Sequence, residues 1–190
     1  MHGADVAYFD RLAGLYERAM PAADATALNR GLVRAERDIE RLLDVGGGTG
    51  RGAAALDVPE RVVVDAAGGM LQRARGKGLG AVQGDATRLP VRDEAVDAVL
   101  VVDALHHMPD ATPVVEEAAR VLRPGGALVV REFDPTTVRG WLLAGSERLI
   151  GFDSTFYAAG ALTGRMGRAG LETSLPERGF TYTAVGVKPR

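Results

Sequence analysis

The stretch "LLDVGGGTGRG", residues 42–52, joins a short apolar run to a cluster of glycines, and it predicts a buried strand followed by a tight turn into a helix. Gly46, Gly48 and Gly50 let the backbone turn and approach a ligand closely, because glycine has no side chain to clash. In an open α/β sheet this turn is where a ligand binds. The alternative is a strand-to-helix turn that binds nothing.

The glycine loop differs from the two common phosphate-binding patterns. The dinucleotide fingerprint requires a third glycine where this chain has Arg51, and the lysine of a phosphate-binding loop is also missing. The loop therefore favours a ligand without phosphates, which argues against a nicotinamide-dependent dehydrogenase.

Four further apolar runs follow the same plan, each leading into a helix-like segment: "RVVVDAAGG", "AVQGDA", "AVDAVLVVDA" and "GALVVREF". Runs of valine and leucine without polar alternation suit strands that are covered on both faces, and interleaved helices imply a parallel sheet. The last two runs, "LETSL" and "FTYTAVGV", are joined by a short turn and predict an antiparallel hairpin. The fold class is therefore α/β, doubly wound.

Composition narrows the range of functions. The 190 residues carry a net charge of −2 and no cysteine, which disfavours nucleic acid as a partner and excludes disulfides and thiol catalysis. No apolar run approaches the ~20 residues of a membrane-spanning helix, and the amino end is charged where a signal peptide would be apolar. We expect a cytoplasmic protein that acts on a small molecule, with a homodimer as an open alternative.

Two aspartates follow the second and third apolar runs. Asp65 ends the second run, fifteen residues after Gly50, where a carboxylate can accept hydrogen bonds from both hydroxyls of a ribose. Asp85 is expected to end the third run, where it can accept from an exocyclic amine while the amide of Ala86 reaches a ring nitrogen. Together they indicate an adenine nucleoside. Taken singly, each is more often a strand-end or helix-cap residue.

The stretch "VVDALHHMPD", residues 101–110, follows the fourth predicted strand and should lie beside the glycine loop. His106 or His107 could take a proton near neutral pH, and Asp103 is a further candidate base. The alternatives are a loop in which a histidine only packs, with Asp110 starting the next helix. A metal site is disfavoured, because neighbouring histidines usually project in different directions and cysteine is absent.

These motifs, in this order and spacing over about residues 41–133, resemble the class I methyltransferases that use S-adenosylmethionine. The resemblance implies the sheet order 3-2-1-4-5-7-6 with strand seven antiparallel, in a three-layer α/β/α arrangement. It assigns Asp44, Gly46, Gly48 and Thr49 to the methionine end, Asp65 to the ribose, and Asp85 with Ala86 to the adenine. Ala66 and Val102 are assigned to the same cofactor site.

The ends of the chain resemble the C-methyltransferases of ubiquinone and menaquinone biosynthesis. "YFDRLAGLYE" matches their opening helix at Phe9, Asp10, Ala13 and Tyr16. The resemblance implies one domain, with a helical cap at 1–40, a cofactor-binding core at 41–133 and a substrate-side segment with the closing hairpin at 134–190. That last part is shorter here than in the quinone enzymes.

Aromatic side chains of the cap and of the segment after the fifth strand suit a flat ring substrate. The predicted substrate contacts are Tyr8, Tyr16, Arg131, Trp141, Phe152, Phe156 and Tyr157. For any one of them, ordinary core packing is the alternative. The predicted function is methylation of a small molecule, at carbon or oxygen of a quinone-like or aromatic ring; the open alternatives are methylation of a different metabolite and cofactor binding without catalysis.

Overall fold

The computed structural model describes residues 22–149 and 154–190, which form one sheet of seven strands with helices on both faces. The sheet order is β3-β2-β1-β4-β5-β7-β6; the first five strands are parallel, and β7 runs antiparallel to β5 and β6. The strands are β1 Arg41–Val45, β2 Glu60–Asp65, β3 Gly80–Gln83, β4 Val96–Val102, β5 Leu122–Phe133, β6 Glu172–Glu177 and β7 Thr181–Val187. The predicted fold class and strand order are confirmed.

The helices lie in two layers, one on each face of the sheet. They are α1 Ala25–Leu32, α2 Arg51–Ala54, α3 Gly68–Gly76, α4 Ala111–Val121, α5 Val138–Leu149 and α6 Ala159–Arg168, with a 3-10 turn at Leu105–His107. Alternate residues of β1 show why three layers form: Leu43 packs in the cluster that buries α4 and α6, and Leu42 packs in the opposite cluster with α1 and α3. Every residue of the central strand β4 is buried.

Asp110 begins α4, as the sequence predicts. Its side chain accepts a hydrogen bond of 2.8 Å from the amide of Thr112, the contact of a helix-capping aspartate. The helix starts at Ala111, and it ends at Val121 before Pro124.

Two predicted element boundaries are wrong. The third strand ends at Gln83, and Asp85 lies two residues further on, in an isolated bridge with Arg88. The predicted helical cap to residue 40 continues as helix only to Leu32. The following segment hydrogen-bonds to β5, where the amide of Glu36 donates to the carbonyl of Gly125. The cap residues 1–21, with Tyr8 and Tyr16, and Phe152 lie outside the described residues.

Within the two described ranges, no helix has the length and apolar character needed to cross a bilayer.

Candidate functional site

The glycine loop after β1 is built from residues with left-handed backbone. Gly46, Gly48 and Gly50 have φ of 68°, 55° and 76°, a region that favours glycine. A Cβ added to Gly46 would lie 2.8 Å from the methyl carbon of Met108 and 3.0 Å from the Cβ of Ala104. The loop therefore passes close to the segment that follows β4, and a side chain at Gly46 would enter the space between them.

Asp44 is a fully buried carboxylate at the start of this loop. Its Oδ2 accepts a hydrogen bond of 2.9 Å from the amide of Ala53, whereas Oδ1 is buried without a partner among the described residues. Burial disfavours the charged form and raises the pKa of Asp44 to about 6, against the opposing hydrogen bond from Ala53. A buried acceptor without a donor is expensive, so Oδ1 marks a place where a ligand with a positive or N–H donor group would be stabilised.

Asp65 links the glycine loop to the end of β2. Its Oδ2 accepts from the amide of Gly48 at 2.9 Å, and its Oδ1 accepts from the amide of Ala67 at 2.8 Å. Burial raises the pKa of Asp65, while these backbone hydrogen bonds lower it. Each carboxylate oxygen can accept a second hydrogen bond, so the pair of oxygens remains able to bind both hydroxyls of a ribose.

Two neighbouring cavities open at this edge of the sheet, and Gly46 and Asp65 line both of them. The first encloses about 530 Å³, including its open mouth. Of the nine residues assigned to the cofactor, eight line one or both cavities. Asp44, Gly46, Gly48, Asp65 and Val102 line the first cavity, and Gly46, Asp65, Ala66, Asp85 and Ala86 line the second. The ninth residue, Thr49, is buried and lines neither cavity.

The polar groups that line the two cavities fit the groups of S-adenosylmethionine. One end offers the unpartnered oxygen of Asp44, the middle offers the carboxylate of Asp65, and the far end offers Asp85 beside Ala86. Asp85 is exposed and accepts two hydrogen bonds at Oδ1, from the amide and hydroxyl of Thr87, which lower its pKa. An ammonium, a ribose and a purine amine are the groups that such acceptors bind.

The histidine stretch forms the 3-10 turn, and Glu132 on β5 binds this turn through hydrogen bonds. Glu132 is 3% exposed; its Oε1 accepts from the amides of Ala104 and Leu105 at 3.0 and 2.7 Å, and its Oε2 lies 2.8 Å from Nδ1 of His106. Because Oε2 accepts the Nδ1 proton, Nε2 is the nitrogen of His106 that remains for other partners. Glu147 on α5 approaches this nitrogen at 3.8 Å.

The two histidines differ in environment. Burial opposes the charged form of His106, but Glu132 and Glu147 outweigh it and raise its pKa. Burial, with His106 as a second cause, lowers the pKa of His107 to about 3, so His107 is neutral. His107 lines the first cavity, whereas His106 is 3% exposed and lies behind it.

The prediction that the two histidines project in different directions is wrong. Their ring centroids are 4.1 Å apart, with the planes tilted by 48°.

Asp103 lies between the donor cavity and the turn. It has a left-handed backbone with φ of 49°, which aspartate tolerates better than most residues, and this conformation redirects the chain from β4 into the turn. Its carboxylate pairs with Arg51 at 3.5 Å. Burial and the nearby Glu132 raise the pKa of Asp103, while Arg51 lowers it. Its side chain is 19% exposed, so Asp103 is not a solvent-facing carboxylate.

The predicted substrate residues that the structure describes fall into two groups. Phe156 stacks on His106, with ring centroids 4.6 Å apart and planes within 9° of parallel. Trp141 is 70% exposed and shares a shallow groove with Phe156. Tyr157 and Arg131 make structural contacts. The hydroxyl of Tyr157 accepts a hydrogen bond from the amide of Ala111, and Arg131 binds side chains of β6 and β7.

Sequence reasoning missed Glu132 and Glu147. Glu132 is a charged residue inside the buried run "VVREF", which is a signal for a functional role. The sequence analysis predicts its neighbour Arg131 as a substrate contact instead. Neighbouring residues of a strand point to opposite faces, and the parity of β5 turns Glu132, not Arg131, toward the histidines. Glu147 gives no sequence signal, because a glutamate on a helix is ordinarily a solvated residue.

The strand order and the reversed β7 are those of a class I methyltransferase fold. The structure agrees with a solved S-adenosylmethionine-dependent methyltransferase from Thermotoga maritima, described as a possible histamine N-methyltransferase. The TM-score is 0.81, with 24% identity over 95% of this chain and 98% of that one. At this identity the likeness shows the fold alone.

The family match covers the same region as the cavities. A family model described as a methyltransferase domain matches residues 43–130, and the cofactor that this match implies is S-adenosylmethionine. The chain is 40% identical over 113 residues to the demethylmenaquinone methyltransferase of Mycobacterium sp. (strain KMS), covering 58% of this chain and 49% of that protein. It therefore resembles the quinone group within class I methyltransferases.

A second relative matches more of the chain. The 27-O-demethylrifamycin SV methyltransferase of Amycolatopsis mediterranei (strain S699) is 32% identical over 158 residues, or 76% of this chain and 58% of that protein. The chain spans about half the length of the demethylmenaquinone methyltransferases that it matches.

Proposed function

We propose that this chain transfers a methyl group from S-adenosylmethionine to a small molecule with a quinone-like or phenolic ring, at oxygen or carbon. The observation that carries the proposal is the buried, unpartnered oxygen of Asp44 in a cavity that continues past Asp65 into a second cavity. The matched methyltransferase domain and the names of the relatives support it.

Three acidic residues would hold the cofactor. Asp44 would accept from its ammonium group, Asp65 from the two ribose hydroxyls and Asp85 from the adenine amine. The cofactor supplies an electrophilic methyl group on a sulfonium sulfur. The backbone of Gly46 and Gly48 gives the room for it, since a Cβ at Gly46 would enter the junction of the cavities.

The acceptor would bind where His107 meets the first cavity, with the 3-10 turn beside it. Methyl transfer is an in-line displacement, so its rate depends on holding the acceptor atom in line and on removing its proton. His106 is the favoured base of the three candidates, because Glu132 fixes its Nδ1 proton and stabilises the imidazolium that forms at Nε2. His107, with a pKa of about 3, is a weak base.

The aromatic surroundings favour a flat acceptor. Phe156 lies parallel to the His106 ring, and its groove with Trp141 opens toward the surface. Aromatic rings stack in offset or parallel arrangements at such separations, so a planar ring could extend the stack. The relatives named for demethylmenaquinone and 27-O-demethylrifamycin SV support the same class of acceptor.

Calorimetry with S-adenosylhomocysteine tests the cofactor half of the proposal. We expect one binding site per chain, and Asp44→Asn should weaken binding by about 10–100-fold, since a charge-assisted hydrogen bond contributes roughly 1.5–3 kcal/mol. Exposed Asp57→Asn is the matched control and should bind as the parent does. Tight binding of NAD in place of S-adenosylhomocysteine would refute the cofactor assignment.

A radiolabelled methyl transfer assay with a panel of quinols, phenols and catechols tests the catalytic half. We expect transfer to at least one ring compound, and His106→Gln should lower kcat by about 10²–10⁴-fold with little change in cofactor affinity. Cofactor binding without transfer to any ring compound would favour a different metabolite or a non-catalytic binding protein. Three expectations about this chain stay predictions: that it forms a homodimer, that it is cytoplasmic, and that it divides into a cap, a core and a substrate-side segment.

A further inference from the structure

The acceptor side of the site brings together three groups that ligate transition metals. One donor atom each from His106, His107 and Glu147 all lie within 4.8 Å of one another. The two histidines come from the 3-10 turn after β4, and Glu147 comes from α5, some forty residues later. Two imidazoles and a carboxylate from separate elements form a donor set that suits zinc, iron, cobalt or nickel.

One of the three ligands already has the outer support of a metal-binding histidine. Such histidines bind the metal through one nitrogen and donate the other N–H to a carboxylate, which fixes the ring. In this chain Glu132 takes the Nδ1 side of His106 at 2.8 Å and is itself anchored by the amides of Ala104 and Leu105. The lone pair on Nε2 is thereby directed toward Glu147.

The charges around His106 also favour a cation. Glu132 and Glu147 approach the two nitrogen sides of the same imidazole, at 2.8 and 3.8 Å. Two carboxylates against one imidazole leave an excess of negative charge even when the ring carries a proton. The second oxygen of Glu147, Oε2, is buried without a hydrogen-bond partner among the described residues. A buried unpaired carboxylate oxygen is costly, and a bound dication would compensate it.

We propose that His106, His107 and Glu147 form a site for a divalent transition-metal ion of the Zn²⁺ or Co²⁺ type, with its remaining coordination positions open to an oxygen ligand. Metal–nitrogen distances of about 2.1 Å require neighbouring donor atoms about 3.4 Å apart. The three donor atoms lie within 4.8 Å of one another, so binding would draw them together, and rotation of the Glu147 side chain about its own bonds would bring its carboxylate toward the two imidazoles. Three protein ligands with open positions are the pattern of a catalytic rather than a structural site.

The position of the site gives the ion a function. His107 lines the donor cavity, so an oxygen bound to the ion would lie beside the transferred methyl group. A divalent ion lowers the pKa of an oxygen that it binds, so it would replace Nε2 of His106 in generating the nucleophile. This role rests on the proposed function, whereas metal binding itself does not and can be measured without cofactor or acceptor.

Titration of the tag-free chain with Zn²⁺ by calorimetry, and with Co²⁺ by visible absorption, tests the site. We expect one ion per chain with a dissociation constant below about 10 µM. His107→Ala and Glu147→Gln should each weaken binding by at least about 100-fold, and Glu132→Gln by about 10–100-fold, as for loss of an outer carboxylate. The cobalt bands should disappear in the first two variants.

His2 is the one other histidine of the sequence, so His2→Ala is the matched control and should bind as the parent does. Far-UV circular dichroism shows whether each variant is folded; Glu147→Gln, on a partly exposed side chain, carries the test if His107→Ala unfolds. No saturable uptake up to about 100 µM free ion, or binding that survives in the folded ligand variants, overturns the site. Methyl transfer that is unaffected by chelators, without ion binding, would leave the proposed function intact and remove the metal.

Discussion

The two sides of the candidate site are built differently. The donor side, formed by the glycine loop and the ends of β1 and β2, takes its polar groups from residues at the carboxyl ends of apolar strands, such as Asp44 and Asp65. The acceptor side, formed by the 3-10 turn, Glu132, Glu147 and residues 154–157, is assembled from four segments far apart in the sequence.

The difference shows in what holds each side together. On the donor side several contacts are local in sequence, for example from the amide of Ala67 to Asp65 and from the amide of Ala53 to Asp44. On the acceptor side one buried carboxylate, Glu132, connects β5 to the turn after β4. The amide of Thr155 then donates to the carbonyl of His106 and adds the next segment. The acceptor side therefore depends on a single residue more than the donor side does.

Replacing that residue should have the largest effect on stability. Glu132→Leu would leave two buried amides and the Nδ1 of His106 without their partner, which costs about 3–5 kcal/mol of unfolding free energy. Urea denaturation measures the loss. S-adenosylhomocysteine binding by the fraction that remains folded should stay near the parent value, because the donor side does not use Glu132.

Exposed Glu116→Gln is the control for this experiment and should change stability by less than about 0.5 kcal/mol. If Glu132→Leu is as stable as the parent, the acceptor side does not depend on this carboxylate, and the contrast between the two sides is lost. An intermediate cost in Glu132→Gln, which keeps an acceptor oxygen for the amides, would separate the hydrogen bonds from the charge.

The same contrast explains what the sequence could predict. The parallel strands and the position of Asp65 at a strand end follow from short apolar runs that end in an acid or glycine, which is information carried within a few residues. The strand order and the role of Asp44 follow only from the resemblance to class I methyltransferases. Asp85 lines the second cavity, although the strand before it is shorter than its apolar pattern suggests, and its assignment to the adenine stays a prediction.

The acceptor side could not be predicted in this way, for two physical reasons. Both Arg131 and Glu132 follow a fully buried run, so nothing local fixes which of them faces the histidines; the pairing register of β5 with β4 and β7 decides it. The approach of Glu147 to His106 depends on how α5 returns over the turn, which is a long-range contact. The pattern also could not show that the two imidazoles would pack together.

The charged form of Asp44, the buried carboxylate of the donor side, should lower the free energy of unfolding. The folded-state pKa of Asp44 is about 6, above its ordinary 3.8, so the folded protein binds the extra proton between these values. Stability from this group is then complete below about pH 4 and is lost as the pH rises through 6. Asp44→Asn removes the titration and should stabilise the chain by up to ~3 kcal/mol at pH 7.

Urea denaturation at pH 4 and pH 7 checks this prediction. The gain of Asp44→Asn over the parent should shrink toward zero at pH 4, where the aspartate is protonated, and Asp57→Asn should show no such gain. A variant that is less stable than the parent at pH 7 would mean that the charge is compensated in the folded state without a ligand. The gain should accompany weaker cofactor binding, since the same oxygen serves both.

Two glycines compare the sides with the smallest expected effects. Gly46→Ala places a side chain on a residue with φ of 68°, against Met108, and should cost about 1–2 kcal/mol. Gly145 is exposed on α5, and a Cβ there meets nothing within 4 Å, so Gly145→Ala should add about 0.5–1 kcal/mol of stability through its higher helix propensity. Thermal unfolding measures both.

The two glycine variants should also separate in binding. Gly46 lines both cavities, so its new methyl group should weaken S-adenosylhomocysteine binding beyond what the loss of stability explains, whereas Gly145→Ala should leave it unchanged. Equal effects of the two substitutions on binding would mean that the glycine loop is only a turn. If stability and affinity are both lowered at Gly46 alone, glycine is needed at this position to leave space for the ligand. The backbone turn by itself does not require glycine, because a residue with a side chain could adopt it at a cost of only about 1–2 kcal/mol.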